Sequence, residues 1–329
     1  MPPRRRGLII LLLLALACYG VLLTLSDPAA VGSALTALPA WSLAVAALAA
    51  TGSYLVRWWR WRLYLRSLGH RLPATFDLLS YIAGFAFTAT PGKAGEAARA
   101  IWLKPHGVGL SDTAGSCVAE RLLDLASIIL IAALVAWPQR NYLWVLVSAL
   151  SLLGIGFTGL RVGRRLGSWA GRALQSAGPR LARVLSGGER TLQTALRLLA
   201  GRNLLAGAAL GTVGWLIEAA GFCFLVHIAG SAMPWTTAAG VYALGLLAGA
   251  VSFLPGGLIG TELTLVALLV HFGMPHQTAI AVTLAARVCT LWLSIALGLA
   301  ALGGLQLKTT GYTTAGRGHG IATSGRTGA

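Results

Sequence analysis

The sequence predicts an all-α polytopic membrane protein, with about six full spans and two re-entrant helical hairpins arranged as an inverted repeat. Three observations carry that reading. Of the 329 residues, 56% are hydrophobic and only 11% charged, with a mean hydropathy of +0.74, a balance foreign to soluble domains. The charge is lopsided, 26 Lys and Arg against 9 Asp and Glu for a net +17, and the arginines gather between apolar runs. Finally, a Pro-Gly break followed by a glutamate occurs twice, in "TPGKAGEAARA" at 90–100 and "LPGGLIGTELT" at 254–264. Basic segments between apolar runs fit cytoplasmic loops under the positive-inside rule. Nucleic-acid binding would instead place them on a polar domain, so no nucleic-acid partner is expected.

The first span is expected at 7–26, uncharged and about as long as a bilayer core requires. A loop at 27–39 carries one charge, Asp27, and a second span covers 40–57. It ends in "RWWRWRLYLRSLGHR", whose interleaved arginines and aromatic rings read as an interfacial anchor on lipid phosphates. Residues 77–90 are apolar but too short to cross, and they run into Pro91-Gly92. Further spans are expected at 113–137, with Glu120, Arg121 and Asp124, and at 141–160. Segment 161–202 holds nine arginines and one acid, Glu189, and reads as cytoplasmic helices lying on anionic lipid.

Between Asn203 and Leu307 the only Asp, Glu, Lys or Arg residues are Glu218, Glu262 and Arg287. A span at 204–228 precedes an apolar run at 237–253, which stops at Pro255-Gly256-Gly257. The run 262–273 is again short, and a last span covers 277–304. The Gly/Ser/Thr-rich tail reads as disordered. The expected division is therefore a membrane domain at 1–308 and a disordered tail at 309–329. Within the domain lie a first repeat motif near 77–137, the basic cytoplasmic segment 161–202 and a second motif near 237–304. Placing the arginines inside puts both termini in the cytoplasm, provided the two Pro-Gly-broken segments turn back.

Each broken segment has an arginine 25 residues beyond its glutamate: Glu96 with Arg121, and Glu262 with Arg287. The topology runs the two arginine-bearing spans in opposite directions, as in inverted-repeat transporters with broken helices. Such charges cost about 2.5–3.5 kcal/mol each at a helix centre in lipid on insertion scales, so they must be paired or face a wet cavity. Two readings stand side by side. In one, the acids and arginines hold the halves together. In the other, free backbone N–H groups at the broken turns and the arginines bind an anionic headgroup. Glu218 is open between pairing with Arg287 or His227 and proton coupling. Asp124, three residues after Arg121, is expected to pair with it. Cys18, Cys117, Cys223 and Cys289 form no CxxC, and no metal-ligand constellation is present, so no cofactor is expected.

"PGKAGEAARAIWL…AERLLDL" and "LPGGLIGTELTLVALLV…AARVCTLWL" resemble the flippase-like membrane domain of bacterial lysylphosphatidylglycerol synthases over roughly 7–304. The matching positions are Pro91, Gly92, Gly95 and Glu96, then Glu120, Arg121 and Asp124. In the second half they are Pro255, Gly256, Gly257, Gly260, Glu262 and Arg287. Lys93 and Ala94 depart from the Gly-Leu expected in the first motif. The resemblance implies a multi-pass protein of the bacterial inner membrane that moves an anionic, phosphate-bearing or glycosylated lipid, such as a phospholipid or a polyprenyl-phosphate carrier. The soluble aminoacyl-transferase domain of the full synthases has no counterpart here, so lysine transfer is not expected. Two alternatives stand beside translocation. One is a membrane-embedded transferase with Glu96 or Glu262 as base. The other is a non-catalytic partner of a lipid glycosyltransferase or of hopanoid biosynthesis.

Overall fold

The computed structural model describes residues 27–88, 96–136, 143–173, 179–252 and 254–318, together with Gly20. Among them all regular structure is helical. Apart from Gly20, the span expected at 7–26 lies outside the described residues, as do Pro91, Gly92 and Gly95 of the first turn.

The segment 27–39, expected as a loop, is helix α1 (Pro28–Ala37). Its sequence contains the start signal: Asp27 Oδ1 accepts the amides of Ala29 and Ala30 at 3.0 and 3.3 Å, and Pro28 sits at the first helical position. Pro39 then turns the chain through 78° into α2 (Ala40–Ser67). Next come α3 (Ala74–Ala83), a 3-10 turn (Gly84–Phe87) and the single-turn α4 (Ala100–Leu103). Two long helices follow, α5 (Leu110–Ala136) and α6 (Leu143–Ala173), then α7 (Pro179–Leu198) and α8 (Gly201–Ile228). The second half holds α9 (Trp235–Val251), a turn (Pro255–Gly257), α10 (Gly260–His271) and α11 (His276–Arg287). A π-helical turn (Val288–Trp292) joins α11 to α12 (Leu293–Gly318), so the helix continues beyond the boundary expected at 308; residues 319–329 lie outside the described residues.

By length and composition, α8 and the continuous stretch His276–Leu305 can each cross a membrane, and the bent pair α1–α2 makes a third such unit. The stretch Ala74–Phe87, α9 and α10 are apolar but short.

Packing is set by glycines wherever a charged or bulky neighbour must come close. A Cβ on Gly207, Gly211 or Gly214 of α8 would lie 2.0 Å from Tyr64 Oη, 2.5 Å from Arg60 Nη1 and 3.1 Å from Arg57 Cγ respectively. The three glycines, at i, i+4 and i+7, form a groove along α8 that receives one face of the antiparallel α2. One face of the "RWWRWRLYLRSLGHR" segment, expected as an interfacial anchor, is therefore turned into the bundle. Arg57, Arg60, Trp61 and Tyr64 are buried, because α8 offers room and Glu218 while α5 offers Glu120 and Asp124, and Trp59 stays half exposed.

Helix α7 also departs from expectation. Leu192, Ala195, Leu198 and Leu199 pack on Ala119 and Leu123 of α5 and Leu160 of α6, so its apolar edge faces the bundle rather than a lipid surface. Gly115 permits this approach, since a Cβ there would meet the Thr191 carbonyl and the Thr194 side chain at 2.7 Å. Asp112 ties the same end together, hydrogen-bonding His70 Nε2 at 2.8 Å and accepting the Thr194 hydroxyl at 3.1 Å.

The largest core lies among α5, α8, α9, α10 and α11, around Phe222, Leu244, Leu265 and Ile280. Helix α9 packs on α5, while α3 and its 3-10 turn pack on α12. Gly298 of α12 makes the latter contact possible, since a Cβ there would lie 2.2 Å from the Ala86 amide nitrogen.

Candidate functional site

Six charged side chains close a ring in the first half. Arg60 of α2 donates to Asp124 at 2.8 Å, and Asp124 lies 3.2 Å from Arg121, one turn back on α5. Arg121 donates to Glu96 at 3.3 Å, and Glu96 accepts Arg99 at 3.0 Å. Arg99 reaches Glu120 at 3.3 Å, and Glu120 completes the circuit 3.6 Å from Arg60. Three guanidinium groups alternate with three carboxylates, so the ring as a whole is neutral. Pairing of this kind is what lets ions persist away from water. Aromatic faces add to it, with the Arg99 guanidinium 4.2 Å from the Tyr81 ring centre and 5.0 Å from that of Trp61.

The second half is simpler. Arg287 Nε donates to Glu262 Oε1 at 2.7 Å, and its Nη2 donates to the carbonyl of Gly256 at 2.7 Å. That carbonyl belongs to the broken turn, where Gly256 and Gly257 take φ of 65° and 67°. Counting from the glutamate, Leu265 stands where the first half has Arg99. Ala286 and Thr290 stand where it has Glu120 and Asp124.

Between the halves, Arg57 of α2 pairs with Glu218 of α8. Glu218 also accepts the hydroxyls of Ser53 at 3.1 Å and Tyr242 at 2.9 Å. The Arg57 guanidinium lies 4.3 Å from the Trp215 ring centre. Neither partner expected for Glu218 is used; His227 Nδ1 instead hydrogen-bonds the Cys223 carbonyl at 2.8 Å.

A cavity of about 480 Å³ brings the three clusters together. Glu96, Arg121 and Asp124 line one side and Gly256, Gly257, Thr261 and Arg287 the other, with Arg57, Glu218, Trp215 and Tyr242 between them. Leu125, Ile128, Leu246 and Leu247 supply an apolar wall. Of the residues singled out from sequence, Glu96, Arg121, Asp124, Glu218, Gly256, Gly257 and Arg287 reach the cavity. Glu120 and Glu262 stand behind it as fully buried partners of arginines. Gly260 serves packing, since a Cβ there would meet the Ala248 carbonyl at 2.9 Å.

Sequence reasoning missed Arg57, Arg60 and Arg99 as members of the site. A signal existed for the first two: Arg57, Arg60 and Tyr64 at i, i+3 and i+7 match Gly214, Gly211 and Gly207 in reverse. Among the described residues no group of three His, Cys, Asp or Glu side chains could hold a metal ion.

Among curated proteins, none matches the chain. The family model described as the lysylphosphatidylglycerol synthase TM region matches residues 8–298. Those residues hold the charged ring, both glutamate–arginine pairs and the cavity between them, and the chain belongs to this family of membrane proteins.

Proposed function

We propose that the protein binds the phosphate-bearing headgroup of a membrane lipid in the cavity between its halves and carries it from one leaflet to the other. The observation that carries this reading is the Arg121 guanidinium. Of the arginines lining the cavity it is the most open, with 30% of its side chain exposed, and the lining around it is mixed charged and apolar. A guanidinium recognises phosphate through parallel N–H donors, and Leu125, Ile128 and Leu246 suit the first carbons of an acyl or prenyl tail. The role is transport rather than catalysis. Glu96 and Glu262, the acids available as bases, are already engaged, the first by Arg99 and Arg121 and the second by Arg287.

The same reading takes the fold as an inverted repeat with six spans, two re-entrant hairpins and both termini in the cytoplasm of a bacterial cell. Two relationships support it. Both glutamate–arginine pairs close over 25 residues. The packing is reciprocal, each hairpin arm lying on the helix line that carries the other half's arginine, α9 on α5 and α3 on α12. Orientation rests on the end where Asp112 binds His70 and Thr194. There exposed Arg66, Arg71, Lys104, Arg190, Arg197 and Arg202 gather, while the connections 229–234 and 272–275 hold no Lys or Arg.

The test is reconstitution into vesicles with a head-labelled fluorescent phospholipid and a membrane-impermeant quencher. The wild-type protein should expose inner-leaflet label to the quencher, and Arg121→Gln should return the rate to that of protein-free vesicles. Equal rates for the two proteins would sink the proposal.

A further inference from the structure

The two arginines of the repeat divide the work: we infer that Arg121 is the residue that contacts the lipid phosphate, whereas Arg287 is a positioning residue that clasps the broken turn 254–260. The inference deepens the proposed headgroup site and rests on it. It departs from an even-handed repeat in which both arginines would bind the ligand.

The donors of the two side chains are committed differently. Arg287 uses Nε on Glu262 and Nη2 on the Gly256 carbonyl, both at 2.7 Å, and only 6% of its side chain is exposed. Arg121 makes both of its ion pairs through one nitrogen, Nη2, at 3.3 and 3.2 Å. Its Nη1 and Nε are engaged by no carboxylate among the described residues, and 30% of its side chain is open. Every other member of its charged ring is at most 5% exposed at the side chain, so the ring reaches the cavity chiefly through this one guanidinium.

The turn that Arg287 holds needs a clasp. Ile259 has φ 70° and ψ −58°, a conformation that a β-branched side chain resists, and the Gly260 amide donates to the Leu258 carbonyl at 2.9 Å across it. Gly256 and Gly257 precede it with positive φ. Backbone of this kind persists only where its surroundings hold it. Arg287 joins the turn's carbonyl to Glu262 in the first turn of α10, tying the two sides of the strained residue together. Among the described residues Arg121 makes no such carbonyl contact, and its second partner is Asp124, where the second half has Thr290.

The experiment uses the full chain in detergent, with Arg121→Lys and Arg287→Lys as variants that keep the charge and remove the planar fork. Two readouts are taken. One is binding of dioctanoyl phosphatidylglycerol, with dioctanoylglycerol as the phosphate-free control. The other is hydrogen exchange of the amides 254–263. Arg121→Lys should weaken binding of the phosphate lipid by about tenfold to a hundredfold, the loss of one charge-assisted hydrogen bond, with exchange at 254–263 unchanged. Arg287→Lys should speed exchange at 254–263 by at least about tenfold, the loss of a bond of the same kind. Binding by Arg121→Lys equal to wild type, or unchanged exchange in Arg287→Lys, overturns the division of roles. A wild-type protein that binds neither lipid overturns the headgroup site and Arg121's part together. The exchange of Arg287→Lys then still decides the clasp.

Discussion

Arg287 and Glu262, 25 residues apart in the chain, meet at 2.7 Å in the same relationship that joins Arg121 to Glu96 at 3.3 Å over the same separation. Both members of the second pair are buried, so loss of either partner leaves the other charge poorly solvated. Glu262→Gln or Arg287→Gln alone should each destabilise the protein by about 3–5 kcal/mol, the usual result of breaking a buried pair. The double variant should cost clearly less than the sum. Unfolding in detergent followed by tryptophan fluorescence measures all three, and additive single effects would contradict the pairing.

The α8 groove makes a graded prediction. Gly211→Ala places a methyl 2.5 Å from Arg60 Nη1 and should cost about 1–3 kcal/mol through overpacking. Gly154→Ala, with nothing within 4 Å of the new methyl on exposed α6, should be neutral or stabilising by up to about 1 kcal/mol. Melting temperatures that rank the two variants in the opposite order would refute the groove.

These two cases show what could be read in advance. The Glu96–Arg121 and Glu262–Arg287 pairs were legible because each lies within one local unit, and repetition at one spacing marks a designed contact. Arg57 and Arg60 were not, because their partners Glu218, Glu120 and Asp124 lie 60 to 161 residues away on other helices, where periodicity carries no information. A basic aromatic run reads as an interface anchor until the glycines that make room for it are recognised on α8. Helix α7 failed for a related reason: an amphipathic helix announces an apolar partner but not whether that partner is lipid or protein.

Two tyrosine hydroxyls at the cavity should differ in value. Tyr242 donates to the Glu218 carboxylate at 2.9 Å, and Tyr54 donates to the Thr290 carbonyl at 2.7 Å. Tyr242→Phe should cost about 1.5–3 kcal/mol, because its acceptor belongs to the ion pair with Arg57, against about 0.5–1.5 kcal/mol for Tyr54→Phe. Thermal unfolding of both variants under the same conditions checks the order.

Orientation can be checked with cysteines introduced at two exposed positions, Gly188 of α7 and Ala232 between α8 and α9, in a background lacking the native thiols. An impermeant maleimide should label Gly188→Cys only from the cytoplasmic face and Ala232→Cys only from the opposite face. Labelling of both from one side would refute the proposed topology.

The glycine groove also has a mechanical consequence. With Tyr64, Arg60 and Arg57 seated against Gly207, Gly211 and Gly214, α2 cannot slide along α8 or roll over it without driving a side chain into backbone. The two helices behave as one stiff lever with Arg57 and Glu218 fixed at mid-length. On the proposed transport role, opening of the cavity to alternate faces falls to the irregular joints instead, the bend 254–260 and the π-helical turn Val288–Trp292.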